Sequence, residues 1–263
     1  MRHGFTMAEA LITVGIIGII AAMTFPILIK NYNKQKNVVV LRKAYSDIQK
    51  LFLDFQADTN CYDNLNYCFP KDGQFRDEFA KYLYNKKGFQ DKFSKDTQIE
   101  VKLLNQKKVE NQFWLIKYSP VNSEGTGNKI LIAPGGAYIL GFSLNGRDNF
   151  YQLYENGKSS NPPNYFRAKI EIYTDPGKVN DFRSKKGKRC SIIGRDIFYL
   201  FIMSDGQIIP NGTTKCGGKS NYECGDVNKK PSLCDPTNIT TQNLSNGTYC
   251  FGKIIGDGWQ MKY

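Results

Sequence analysis

Between Glu9 and Lys30 the chain reads ALITVGIIGIIAAMTFPILI, residues 10–29, without one ionisable side chain. At about 1.5 Å per helical residue, such a run spans about 30 Å, the hydrocarbon thickness of a bilayer. The length selects a membrane-crossing helix over a secretory signal peptide, whose apolar region is about 7–15 residues and follows a basic stretch. Here only Arg2 and His3 precede the run, and an acid interrupts its start. A buried core helix is the other soluble-protein alternative.

Glu9 narrows the choice. An ionisable group inside a spanning segment is costly, with insertion scales charging about 2.5–3.5 kcal/mol for Asp, Lys or Arg at its centre, so a retained one needs a partner. The adjoining sequence, RHGFTMAE, holds no cation close to it on the helix. Proteolysis after Gly4 would supply one. It would leave a free ammonium on Phe5, one helical turn from Glu9 and within reach of the same acid in a neighbouring copy.

A leader ending in Gly4, followed by Phe5, Thr6, Met7, Ala8, Glu9 and an apolar run containing Pro26, resembles the prepilin signature. Type IV pilins and the pseudopilins of type II secretion systems share that signature. The resemblance implies cleavage after Gly4 by a prepilin peptidase and methylation of the new N-terminal Phe5. It also implies pairing of Glu9 with a neighbour's terminal amine during filament assembly. The stretch GRDIFYLFIMSDGQIIPNG and the ending GKIIGDGWQMKY resemble C-terminal segments of bacterial pilin-like proteins, which extends the likeness beyond the first 55 or so residues.

Charge alone argues for the opposite orientation. Lys30, Lys34 and Lys36 follow the run while Arg2 precedes it, and flanking cations favour the cytoplasmic side. The leader requires Gly4 to face the cytoplasm, and large domains translocate largely regardless of charge. The expected placement is therefore single-pass in the cytoplasmic membrane, N-terminus inside and C-terminal domain outside, becoming part of a surface or periplasmic filament after assembly.

Past the run, Val38, Leu41, Tyr45, Ile48, Phe52 and Phe55 recur at steps of three and four, which predicts an amphipathic continuation of the helix. Residues 5–57 then form one rod of about 80 Å. Pro26 removes the amide that would donate to Ala22, marking a kink, and Gly15 and Gly18 permit close helix approach. Asp58, Thr59 and Asn60 end the rod. The expected organisation is a leader (1–4), a membrane half (5–29), an amphipathic half (30–57) and a globular domain (58–263).

In that domain a second helix is expected at 75–84 and strands at 98–104, 113–118, 129–133, 138–142 and 168–173. Residues 196–203, DIFYLFIM, suit a central strand buried on both faces, and Asp205-Gly206 signals a hairpin before Ile208 and Ile209. The expected fold class is α+β, a long N-terminal helix packed on an antiparallel sheet, a layout that resembles the pilin fold.

Seven cysteines, at 61, 68, 190, 216, 224, 234 and 250, form no close CxxC pair, and the chain's one histidine is His3. Disulfides in an oxidising exterior are thus favoured over zinc. One unpaired cysteine and three bridges allow 7 × 15, about 105, schemes, which spacing leaves open. Nearness suggests Cys61 with Cys68, Cys216 with Cys224 and Cys234 with Cys250, leaving Cys190. No phosphate loop follows Ala133-Pro134-Gly135-Gly136, so an ATPase is disfavoured, and a single leader histidine disfavours most hydrolase triads. No cofactor and no catalytic residue are expected. Asp175, Asn180 and Asp181 offer calcium-type oxygens without EF-hand spacing, and Asn211, Asn238, Asn243 and Asn246 begin glycosylation triplets.

The expected function is a non-enzymatic structural subunit of a type IV pilus or pseudopilus. Its partners are itself, other pilin-like subunits, prepilin peptidase, the assembly machinery and the lipid bilayer. The alternative is a membrane-anchored extracellular binding protein, for DNA or glycan, with the helix as a tether. A net charge of +12, or +11 once Arg2 is removed, and the run Lys185, Lys186, Lys188 and Arg189, with Lys107-Lys108 and Lys229-Lys230, motivate weak DNA attraction.

Overall fold

The computed structural model describes residues 6–70, 73–92, 101–105, 121, 129–143, 166–177, 191–213, 234–237 and 247–263. The chain divides into two units, Met1–Lys36 and Asn37–Tyr263. Helix α1, Met7–Thr59, begins in the first and ends in the second.

In the first unit every large apolar side chain of α1 is exposed, from Met7 through Leu11, Ile20 and Phe25 to Ile29. The hydroxyls that interrupt this surface are satisfied within the helix. Thr13 donates to the carbonyls of Glu9 and Ala10, each at 2.9 Å, and Thr24 donates to that of Ile20 at 2.9 Å. Hydroxyls satisfied within the helix meet one requirement for entering hydrocarbon. Pro26 lies inside α1, which runs on through it.

In the second unit α1 buries Val38, Leu41, Ala44, Ile48, Phe52 and Phe55, the face that the three-and-four periodicity predicts. Tyr45 sits at the edge of that face, its ring 5.5 Å from Phe251 and 6.2 Å from Trp259. The helix ends as a Schellman motif. Asn60 takes a left-handed φ of 51°, Cys61 N–H donates to the Gln56 carbonyl at 3.0 Å, and Asn60 N–H donates to that of Ala57 at 3.3 Å. Asparagine tolerates this conformation better than most residues, which is why the rod stops there.

Two short helices follow, α2 (Leu65–Cys68) and α3 (Gln74–Lys86). Phe75 and Phe79 of α3 are one turn apart and pack against Phe52 and Phe55 of α1, with ring centroids 5.2–6.0 Å apart. Mostly edge-to-face geometry lets each ring's positive rim meet a neighbour's negative face.

Strands β1 (Val101–Lys102), β2 (Lys129–Ile132), β3 (Ile139–Ser143), β4 (Phe166–Tyr173), β5 (Ser191–Ile192), β6 (Ile197–Met203) and β7 (Ile208–Pro210) complete the β structure. Five form one sheet in the order β2-β3-β4-β6-β7, every pair antiparallel. Strand β4 begins two residues before the expected start, with a register shift between Phe166 and Ala168. The expected strand over 98–104 is cut to β1 within the described residues, and it pairs with β5, parallel, outside the main sheet. Strand β6 is buried along its whole length. Phe198, Leu200 and Ile202 join the core that includes α1 and α3, whereas Ile197 and Tyr199 join a second cluster with Ile130, Ile139, Val101 and Ile193.

The Asp-Gly turn forms with a longer loop than a two-residue hairpin. Gly206 N–H donates to the Met203 carbonyl at 3.0 Å, Met203 N–H donates to that of Gln207 at 2.8 Å, and Gly206 has φ 82°. This is a turn followed by a left-handed glycine, the usual three-residue hairpin solution.

A last helix, α4 (Cys250–Gly256), is absent from the sequence reading. Two glycines in seven residues hide its period, and tertiary packing of Phe251 and Ile254, both fully buried, compensates for their poor helix propensity.

Candidate functional site

The first turn of α1 is built on Thr6-Met7-Ala8-Glu9, a Thr-x-x-Glu capping box. Glu9 N–H donates to Thr6 Oγ1 at 3.3 Å, and the Thr6 amide donates back to Glu9 Oε2 at 2.8 Å. The Thr6 hydroxyl also donates to Oε2, at 2.8 Å. Glu9 therefore takes its hydrogen-bond partners from Thr6, and no cation pairs with it among the described residues. The Thr-x-x-Glu spacing was the signal that reveals Thr6 in this role. The arrangement anchors one carboxylate oxygen and leaves Oε1 with no hydrogen bond among the described residues.

Gly4 and Phe5, the expected processing residues, lie outside the described residues. Pro26 lies seventeen positions beyond Glu9 on the same helix. Membrane-length apolar surface and an acid in the opening turn thus share one element.

No family model, curated protein or solved structure matches the chain. The site must therefore be read from its own geometry.

Of the expected bridges, Cys61–Cys68 and Cys234–Cys250 are formed. The first closes a loop directly after α1, pinned by the fully buried Leu65, whose amide donates to the Ser204 carbonyl of the β6–β7 hairpin at 2.8 Å. The second holds the first residue of α4. Cys190, Cys216 and Cys224 lie outside the described residues. So do Asn180 and Asp181, Asn238, Asn243 and Asn246, and the three basic runs. Among the described residues no three His, Cys, Asp or Glu side chains converge as a metal site. Asn211 is 3% exposed, so its glycosylation triplet is sterically closed in the folded chain.

A polar junction missing from the sequence reading fixes the start of the second unit's helix. Asn37 donates from Nδ2 to the Arg195 carbonyl at 2.9 Å and to Asp196 Oδ1 at 3.2 Å. Asp196 Oδ2 accepts from the Ile192 amide at 3.0 Å and from the Arg195 guanidinium at 3.2 Å. One buried carboxylate thereby ties α1 to the β5–β6 turn. Replacing Asp196 with alanine strands the Ile192 amide and one Asn37 contact, while the part-exposed Arg195 guanidinium turns to water, and is expected to cost about 1–3 kcal/mol, read as a lowered urea midpoint of the detergent-solubilised chain. Further along α1, Tyr138 donates to Asp47 at 2.9 Å. Burial, reinforced by the Asp47 charge, pushes this phenol well above its ordinary range, so it remains a donor.

Proposed function

We propose that this chain is a structural, pilin-like subunit: cut after Gly4, held in the cytoplasmic membrane by α1, and polymerised into a type IV pilus or type II secretion pseudopilus. The observation that carries the reading is the union, on one helix, of a bilayer-length exposed apolar surface and an acid in its first turn that pairs with no cation among the described residues. An anchor needs the first feature only. The acid has a purpose when copies pack side by side, because a neighbour's terminal ammonium then meets a carboxylate where water is scarce. The two formed disulfides support an oxidising exterior for the globular unit, and its antiparallel sheet is compatible with a pilin-like ectodomain.

Intact-mass and N-terminal sequencing of chain extracted from native membranes tests this. The expected first residue is N-methylated Phe5. Material that starts at Met1, or at an unmethylated residue, would favour the tether reading, in which the helix anchors an extracellular DNA- or glycan-binding domain.

A further inference from the structure

The apolar run accounts for residues 10–29, but not for the segment KNYNKQK that continues α1 over residues 30–36. Successive helical residues turn by about 100°, so Lys30 and Lys34 lie on one side of the helix and Tyr32 and Lys36 on the opposite side. Asn31, Asn33 and Gln35 occupy the angles between. Lys30 and Lys36 are exposed and Tyr32 is exposed, whereas Lys34 is half-buried. The segment carries no acid, and Glu9 is the one acidic side chain among residues 6–36.

From Lys30 to Lys36 the helix advances about 9 Å, close to the depth of one headgroup layer beyond about 30 Å of hydrocarbon. Tyrosine is enriched at that depth, and long lysine side chains reach into it. A protein partner would meet charge on one helix face. Here the cations lie on two opposite sides of the helix, which suits headgroups around it better than a single protein face. Burial of Lys34, and after it the charge of Lys30 one turn away, holds the Lys34 ammonium below its ordinary range.

We propose that residues 30–36 form a collar for anionic phospholipid headgroups, with Lys30, Lys34 and Lys36 binding the phosphates and Tyr32 seated at the interface. The inference rests on residues 10–29 spanning the bilayer. Release of the subunit from the membrane must break these contacts.

The test is electron spin resonance of the full chain reconstituted in phosphatidylcholine vesicles carrying trace spin-labelled phosphatidylglycerol or spin-labelled phosphatidylcholine. At low salt the anionic probe is expected to be restricted by the protein about fivefold more than the neutral one, the weight of one lysine at an anionic surface. Molar salt, or the combined Lys30→Gln, Lys34→Gln and Lys36→Gln variant, should bring the ratio close to one. Equal restriction of both probes by the native chain, or a preference that survives in the triple variant, overturns the collar. Carbonate washing separates the premises. A chain that resists extraction but shows no preference refutes the collar and keeps the span, whereas a chain that washes off refutes both.

Discussion

An alanine at position 252 is expected to lift the C-terminal segment off the sheet and cost about 3–5 kcal/mol, the scale of emptying a buried aromatic site. The reason is a backbone-to-backbone contact. The Gly252 amide donates to the Asn211 carbonyl at 2.8 Å, and a Cβ on residue 252 would stand 2.1 Å from the Gly212 carbonyl carbon. Neither partner is a flexible side chain that can step aside. Gly212 has the converse constraint, with φ 95° and a Cβ position 2.1 Å from the Tyr249 carbonyl oxygen. Pushing α4 outward withdraws Phe251, which packs on Tyr45 of α1 and on Phe198 of β6 at centroid distances of 5.5 and 6.1 Å. It also disturbs Trp259, which lies 5.6 Å from the Arg42 guanidinium. The Cys234–Cys250 bridge keeps the segment tethered, so partial detachment is expected. Urea unfolding and limited proteolysis of the detergent-solubilised chain read it out. Gly256→Ala is the internal control: a Cβ there meets nothing within 4 Å, and the change should shift stability by no more than about 1 kcal/mol. A Gly252→Ala chain as stable as the control would contradict the docking of α4.

The same contacts show why parts of this fold were legible and others were not. Periodicity exposed the buried face of α1, because Leu41, Ile48, Phe52 and Phe55 must all point one way. An unbroken apolar run identified β6, and Asp205-Gly206 announced its hairpin. Local chemistry also ended α1 at Asn60. What sequence could not show depends on partners far along the chain. Helix α4 exists because Gly252 lets it touch Gly212, forty positions earlier, and no window of seven residues contains that information. The parallel pairing of Val101 with Ser191 is equally non-local. At the candidate site, the acid and the apolar run were evident in the residue string. The role of Thr6 was encoded there too, in a four-residue spacing, and emerged once the hydrogen bonds were seen. Nearness in sequence was enough for Cys61–Cys68 and Cys234–Cys250, whose partners are 7 and 16 residues apart.

Glu9→Gln and Glu9→Val are both expected to leave the chain inserted and cleaved yet absent from filaments, and comparing them isolates the reason. Glutamine satisfies the capping box as glutamate does, accepting from the Thr6 amide and hydroxyl through its carbonyl oxygen. Valine abolishes the carboxylate half of the box and the charge, while the amide of residue 9 still donates to the Thr6 hydroxyl. If the carboxylate mattered only as a helix cap, Glu9→Gln would assemble normally and Glu9→Val would lose about 1 kcal/mol of helix stability. If instead the carboxylate pairs with the terminal ammonium of a neighbouring copy, both substitutions remove one partner of a charge pair in a poorly hydrated setting. Coupling there is worth about 3 kcal/mol, or about a hundredfold in each subunit contact. That factor recurs along a polymer, so shearable filaments should fall below detection while membrane-bound processed subunit accumulates. The measurement is the ratio of sheared to membrane-bound chain by immunoblot, with N-terminal mass confirming cleavage in each variant. Thr6→Ala completes the set, since it removes the hydroxyl contacts but retains the charge and the backbone donor at residue 6. It should weaken assembly less than either substitution of Glu9. Normal filaments from Glu9→Gln would reduce the carboxylate to a cap and leave α1 as an anchor.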